Sequence, residues 1–212
     1  MSPLPQLLRR TGAALAGALL AWTPALAGGP LLIDHALAPD ERGVWARRYT
    51  LGLEYGVLAL DLGGALWLGG QDRLGRSAWQ SADAMVLGQL AAQAGKFAFG
   101  RERPSQNSDP GVWFHGAKAQ SFPSGEVTLQ ASFVTPFVAR YGAQTPAVWA
   151  LELLPAFDAA ARVRQGGHWT SDVLAGWALG TASGLLAARR DSPFFLELMP
   201  GGVQAGLRAR LP

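Results

Sequence analysis

Five apolar stretches of helical character follow one another along this 212-residue chain, and turns that are polar or rich in Gly and Pro separate them. The stretches cover residues 41–69, 78–100, 124–141, 146–163 and 170–189. Apolar segments of this length and spacing are typical of helices that pack against one another. The sequence therefore predicts an all-α bundle of about five helices. Asp40 is expected to cap the first helix and Ser77 the second.

The two ends of the chain differ from this pattern. The N-terminus combines Arg9 and Arg10 with a short apolar run and the small residues of "ALA" at 25–27, a pattern typical of a signal peptide cleaved after Ala27. An uncleaved membrane anchor is the alternative. We therefore expect residues 1–27 to direct export, to the periplasm or a membrane, and residues 28–212 to form one domain. The residues around Pro200 predict a short strand or an extended C-terminal tail.

Composition excludes several classes of function. Removal of Arg9 and Arg10 would reduce the net charge from +3 to +1, and no block of Lys or Arg would remain, so nucleic acid is excluded as a partner. The chain has no Cys, which excludes disulfides, thiol nucleophiles and Cys-based metal sites. A three-His metal site would need all three histidines, at 35, 115 and 168. We expect no metal in the functional site.

Carboxylates interrupt most of the apolar stretches. They are Glu54, Asp61, Asp83, Glu152 and Asp158. An ionised carboxylate in the middle of a membrane is costly and rare. Residues 173–188 are uncharged but a little short for a span. The pattern favours a soluble or peripheral bundle over a polytopic membrane protein.

The segment "KFAFGRERP" contains two cations near a predicted helix end. Lys96 and Arg103 are seven residues apart, so on a continuous helix they would share one face, and Pro104 would end that helix. Two cations on one face form a clamp for an oxyanion. The alternative is a solvated basic helix end, which the helix dipole favours.

Two later segments also carry candidate chemistry. In "PSGE", 123–126, Ser124 can donate a hydrogen bond, and Gly125 lets a ligand approach the N–H groups of a helix start. In "ARVRQGGHWTSDVLAG", 161–176, His168 and Asp172 are four residues apart. At that spacing the carboxylate can hold one imidazole nitrogen and leave the other free to attack. A turn with an acidic first-turn residue and a structural His–Asp pair are the alternatives.

Together and in this order, the three segments resemble the motifs of the type 2 phosphatidic acid phosphatase and vanadium haloperoxidase superfamily. The family pattern is KxxxxxxRP, then PSGH, then SRxxxxxHxxxD, and the resemblance covers residues 96–176. The matching positions are Lys96, Arg103, Pro104, Pro123, Ser124, Gly125, Arg162, His168 and Asp172. The chain departs from the pattern at Ala161, where the family has Ser, and at Glu126, where the family has His.

The resemblance implies a helical bundle that hydrolyses phosphoesters without a metal. By this resemblance, Lys96, Arg103, Arg162, Ser124 and Gly125 hold the phosphate. His168 forms a phosphohistidine and Asp172 orients it. Vanadate would be a cofactor only on the haloperoxidase branch, which typically has much longer chains.

Glu126 takes the position of the family's proton donor. A bound phosphate would raise the pKa of its carboxyl group, whereas the nearby arginines and the helix start would lower it. Three options stay open: Glu126 is the acid, water or another group such as His115 supplies the proton, or the activity is lost or changed.

The sequence thus predicts an exported phosphoric ester hydrolase acting on phosphomonoesters or diphosphates. A phosphorylated lipid is the leading substrate class, with contact to a membrane surface, and a soluble phosphoester is the alternative. From a different functional class, an inactive anion-binding or membrane-associated module also stays open because of Glu126.

Overall fold

A computed structural model describes Gly29, residues 32–190, and the segments 194–199 and 202–207. The predicted signal peptide, residues 1–27, lies outside the described residues. Within these residues there are five α-helices: α1 (Arg47–Leu68), α2 (Arg73–Phe99), α3 (Gly125–Tyr141), α4 (Leu153–Arg164) and α5 (Thr170–Ala188). The predicted all-α bundle is confirmed. Strands β1 (Phe194–Met199) and β2 (Gly202–Leu207) pair as an antiparallel hairpin in which Phe194 is opposite Leu207.

Two predicted helix caps were wrong. Asp40 accepts a hydrogen bond from the N–H of Arg42, and a 3-10 turn at Gly43–Trp45 precedes α1, whose N-cap is Ala46. The cap of α2 is Asp72, whose side chain accepts a hydrogen bond of 2.6 Å from the N–H of Gly75. Asp72 and Ser77 are both residues that can cap α2, so local sequence does not select between them, and the N-cap of α1 makes no side-chain hydrogen bond. Residues 146–152, predicted as the start of a helix, form a 3-10 helix.

Helix α3 is the central helix, and most of its side chains are buried. The apolar core contains Val57 of α1, Met85 of α2, and Leu129, Phe133 and Val134 of α3. Burial of these side chains stabilises the bundle by about 1.5–3 kcal/mol each.

A row of glycines on α5 faces α3. Gly176, Gly180 and Gly184 follow one another at intervals of four residues and so lie on one helix face. An added Cβ at Gly176 would lie 2.5 Å from the carbonyl oxygen of Ser124. The lack of side chains therefore lets the two helices pack closely, which holds the starts of α3 and α5 next to each other.

Helix α1 presents apolar side chains to the surroundings. Among the described residues, α1 alone is long and apolar enough to cross a membrane by length and composition. Its exposed side chains include Tyr55, Leu60, Leu66 and Trp67, the last of which is 88% exposed. An apolar surface of this kind is typical of contact with a membrane or a partner.

Candidate active site

Segments far apart in the sequence meet at one end of the bundle. The N–H of Ser124 donates to the carbonyl oxygen of Asp172 over 3.0 Å and joins the starts of α3 and α5. A Cβ added to Gly125 would lie 3.3 Å from the Nζ of Lys96 at the end of α2. All the residues singled out in the sequence motifs lie in this region, namely Lys96, Arg103, Ser124, Gly125, Glu126, Arg162, His168 and Asp172.

The cationic pair does not share a helix face as the sequence predicted. Helix α2 ends at Phe99 because Gly100 adopts a left-handed conformation with φ of 45°, and its N–H caps the carbonyl of Lys96. Arg103 therefore lies in the loop that follows, and Pro104 is not what ends the helix. The loop nevertheless brings Arg103 close to Lys96. Burial lowers the pKa of Lys96, and the nearby positive charge of Arg103 lowers it further.

Two buried donors at this end of the bundle have no hydrogen-bond partner in the part of the chain that the structure describes. They are the hydroxyl of Ser124 and the Nε of Arg162. The Nε is 3.5 Å from Oε1 of Glu126, close enough for attraction between the charges but without a hydrogen bond. Buried polar groups are normally hydrogen-bonded, so both donors are suited to a ligand with oxygen acceptors. With Lys96, Arg103 and the start of α3, they fit a tetrahedral oxyanion such as phosphate or vanadate.

Glu126 forms an ion pair that the motifs do not contain. Both its oxygens accept hydrogen bonds from the guanidinium of Arg47 on α1, and the Nη2–Oε1 distance is 2.8 Å. Burial raises the pKa of Glu126, but the hydrogen bonds from Arg47 and the charge of Arg162 outweigh it, and the net pKa lies below the ordinary value. Glu126 is therefore ionised at neutral pH without a ligand, so its carboxyl carries no proton to donate.

His168 lies just before α5, and its ring is held by the loop in front of α3. Its Nδ1 is 2.7 Å from the carbonyl oxygen of Ser121. Because a carbonyl only accepts hydrogen bonds, Nδ1 carries the proton and Nε2 keeps a free lone pair. Burial lowers the pKa of His168, and the nearby Asp172 does not offset this effect. The imidazole is therefore neutral near pH 7 and can act as a nucleophile at Nε2.

Asp172 does not bond to His168 directly, contrary to the expectation from their spacing. The nearest oxygen of Asp172 is 3.8 Å from Nδ1, too long for a hydrogen bond. The reason is that Asp172 has other partners: Arg101, the hydroxyl of Ser121 and the N–H of Trp169. Asp172 thus acts on His168 through its charge and through Ser121, whose carbonyl oxygen holds the ring.

Arg101 connects this arrangement to the N-terminal segment. Its side chain is fully buried and pairs with Asp172 and Asp34, which are also fully buried. Asp34 accepts hydrogen bonds from the N–H and the hydroxyl of Ser171 in the first turn of α5. An arginine with two carboxylate partners is a rigid support because its planar fork of donors fixes the geometry of both.

Sequence reasoning missed Arg47, Arg101, Asp34 and Ser121. Arg101 stands inside the first motif, and its position two residues before Arg103 gave the only local signal. Asp34 is 137 residues from Ser171, and Arg47 is 79 residues from Glu126, so no local pattern could join them. The Nδ1 of His115 lies 2.9 Å from Oε1 of Glu102, and the side chain of His115 is 58% exposed.

An apolar cavity of about 410 Å³ lies between the start of α1 and the start of α4. It is lined by Val44, Tyr49, Leu53, Leu153, Leu154 and Phe157. Val44 and Tyr49 flank Arg47 in the sequence, so the cavity and the charged cluster share the N-terminal end of α1. This cavity is suited to a hydrocarbon group of a ligand whose charged end binds at the cluster.

Within the described residues, no group of three or more His, Asp or Glu side chains could hold a metal ion. The chemistry available from these residues is that of a neutral imidazole facing a cluster of cations and free N–H groups. Such a cluster stabilises negative charge on the oxygens of a phosphoryl group during transfer.

Comparison with known proteins agrees with these features. The family model of the PAP2 superfamily matches residues 77–193. A curated relative, lipid A 1-phosphatase of Porphyromonas gingivalis, is 32% identical over 130 residues. The match covers 60% of this chain and 26% of the relative, so it spans about a quarter of that protein's length. No solved structure matches the chain significantly.

Proposed function

Because the chain belongs to the PAP2 superfamily, we propose that it is a metal-independent phosphatase of phosphomonoesters or diphosphates that uses His168 as its nucleophile. The observation that carries this proposal is the neutral imidazole, whose Nδ1 is held by Ser121 while Nε2 is free, beside buried donors without partners. The family membership and the lipid A 1-phosphatase relative support the same class of reaction.

In the first step, Nε2 of His168 attacks phosphorus and the bond to the leaving oxygen breaks, with its electron pair going to that oxygen. Lys96, Arg103 and Arg162 balance the charge on the three phosphoryl oxygens, and Ser124 and the N–H of Gly125 donate hydrogen bonds to them. Asp172 stabilises the positive charge that develops on the imidazole. In the second step, water attacks phosphorus and the N–P bond breaks, releasing phosphate and the neutral imidazole.

We propose that the substrate is a phosphorylated lipid. The apolar cavity between the starts of α1 and α4 offers a place for hydrocarbon, and the exposed apolar side of α1 offers a surface for membrane contact. The name of the relative is consistent with this substrate class. Export to the periplasm or to a membrane follows from the sequence of residues 1–27 and is part of the proposal.

A screen of phosphate release tests the function. Purified protein is given lipid phosphates, lipid diphosphates and soluble phosphoesters over acidic to neutral pH, beside the His168→Ala variant. We expect release from at least one lipid substrate and a rate reduced by about 10⁴-fold or more in the variant, because the nucleophile is gone. Equal rates in both proteins would rule out the mechanism.

The catalytically altered module stays the second candidate because Glu126 is ionised by Arg47. In that case the wild-type protein would bind inorganic phosphate, measured by calorimetry, and release none from any substrate in the screen.

A further inference from the structure

A second carboxyl group is buried near enough to Glu126 and Arg47 for their charges to act on it. The side chain of Asp158, on α4, is fully buried, and neither of its oxygens has a hydrogen-bond partner among the described residues. An ionised carboxylate without a partner is costly in such a place, so the group is stable there when it carries a proton. The phosphatase mechanism above does not use it.

Asp158 belongs to the same charged cluster as Glu126. It precedes Arg162 by four residues, so the two side chains lie on one face of α4. The Nε of Arg162 in turn is 3.5 Å from Oε1 of Glu126. The other groups whose charges act on Asp158 are Arg47 and Glu54, both from α1.

The two carboxyl groups differ in proton occupancy. Burial and the negative charge of Glu126 together raise the pKa of Asp158 to about 7, whereas Arg47 keeps the pKa of Glu126 low. Asp158 is therefore protonated in a large share of the molecules at neutral pH and in most of them below it, whereas Glu126 stays ionised.

We propose that Asp158 stores the proton for the leaving group and passes it to Glu126 when a phosphate dianion binds. This inference rests on the proposed function. The dianion draws Arg162 towards its own oxygens and adds negative charge beside Glu126, and both effects increase the affinity of Glu126 for a proton. Asp158 acts on the substrate only through Glu126 and is therefore a positioning residue.

The proton balance closes over one turnover. The proton moves from the carboxyl of Asp158 to Glu126, and from Glu126 to the leaving oxygen as the P–O bond breaks, so the alcohol departs neutral. When water attacks the phosphohistidine, one proton of that water returns to Glu126 and then to Asp158. Phosphoester and water are thus converted to alcohol and phosphate, and the cluster regains its starting state.

The test is the pH dependence of the Asp158→Asn variant. Asn has a similar shape but carries no transferable proton. On an alkyl phosphate, we expect kcat at neutral pH to fall by about tenfold or more, and the basic limb of the pH–rate profile to move to lower pH, where Glu126 itself takes up a proton. On p-nitrophenyl phosphate, whose leaving group hardly needs a proton, we expect a loss of less than about threefold.

Asp61→Asn is the matched control. Asp61 is also buried with its pKa raised to about 7 by burial, but it lies about 21 Å beyond Arg47 along α1. We expect its variant to keep the wild-type pH profile. An unchanged profile in Asp158→Asn, with an active wild type, would overturn the inference and leave the phosphatase function standing. An equal loss at every pH and on both substrates would assign Asp158 a structural role and overturn it too.

A measurement on the wild-type protein covers the case in which Asp158→Asn does not fold. Infrared difference spectra are recorded as inorganic phosphate binds, with and without ¹³C in the aspartate carboxyls. We expect a protonated aspartate band, identified by its isotope shift, to decrease and an unshifted protonated glutamate band to appear. No change in the protonated aspartate band on saturation with phosphate would overturn the inference.

Discussion

The His168 side and the Glu126 side of the site are built differently. On the His168 side, Asp172, Arg101 and Asp34 are fully buried, and each has its charge balanced by direct hydrogen-bonded partners. On the Glu126 side, the side chain of Arg47 is 33% exposed and that of Glu126 is 15% exposed. Asp158, on which both charges act, is buried with no hydrogen-bond partner among the described residues.

The two sides are therefore suited to different tasks. The His168 side holds a group in a fixed position, and the Glu126 side can gain and lose a proton. A buried network in which every group is satisfied holds its members in one protonation state and one position, as a nucleophile requires. A cluster with an unpartnered carboxyl can gain or lose a proton within the physiological pH range, as proton transfer requires. At the position of Glu126 the family has a histidine, a single side chain that both carries the proton and holds it in place. In this chain those two tasks are divided among Arg47, Glu126 and Asp158.

Among the variants that test this comparison, Arg101→Met is expected to have the largest effect on stability. Loss of the guanidinium leaves two fully buried carboxylates without their cation, so we expect the free energy of unfolding to fall by about 3–5 kcal/mol. Urea unfolding at neutral pH measures it. Arg47→Met is the comparator, since it breaks a more exposed ion pair. Equal losses of unfolding free energy in the two variants would show that the two sides do not differ in how strongly they stabilise the fold.

Ser124→Ala is expected to have an intermediate effect. Its hydroxyl is buried without a partner between the two sides, and we expect it to bond to a phosphoryl oxygen. A hydrogen bond to a charged group contributes about 1.5–3 kcal/mol, so kcat/KM should fall by about 10- to 100-fold. Ser132→Ala is the control, because the hydroxyl of Ser132 is equally buried and without a partner but lies two turns further along α3. If both variants kept wild-type kinetics, Ser124 would not contact the phosphate.

Arg47→Met is expected to have the smallest effect on stability, about 1 kcal/mol at neutral pH. The folded-state pKa of Glu126 lies below its ordinary value, so its contribution is present above the pKa of an unfolded glutamate. The contribution is lost as the pH falls through the folded-state value. The stability difference between wild type and variant should therefore shrink in acid. The basic limb of the activity profile should move to higher pH, because Glu126 then protonates more easily. A difference in unfolding free energy that stayed constant with pH would contradict this account of Glu126.

Much of the fold could be predicted from local sequence. Helix α3 was expected at 124–141 and runs over Gly125–Tyr141, and α5 was expected at 170–189 and runs over Thr170–Ala188. Long apolar segments bounded by Gly, Pro and polar caps leave few alternatives. The second helix was expected to end at about residue 100 and ends at Phe99, but the expectation that Lys96 and Arg103 share one helix face was wrong, because the left-handed Gly100 ends the helix between them.

The motifs also identified the residues that meet at the end of the bundle, but not how they are connected. Their spacing suggested that Asp172 holds His168, whereas the carbonyl of Ser121 does so. The choice depends on where the loop before α3 places a backbone oxygen, and spacing along one helix carries no information about another segment.

By itself, the sequence determined the bundle of helices and which charged, hydroxyl and imidazole groups are available to the site, because helix formation and the motifs are short-range. Only the tertiary structure decided which carboxyl holds a proton. Arg47, which reaches Glu126 from 79 residues away, keeps the pKa of that carboxyl low, whereas packing removes Asp158 from water and raises its pKa to about 7. Protonation depends on burial and on nearby charges, and both arise only when distant segments meet.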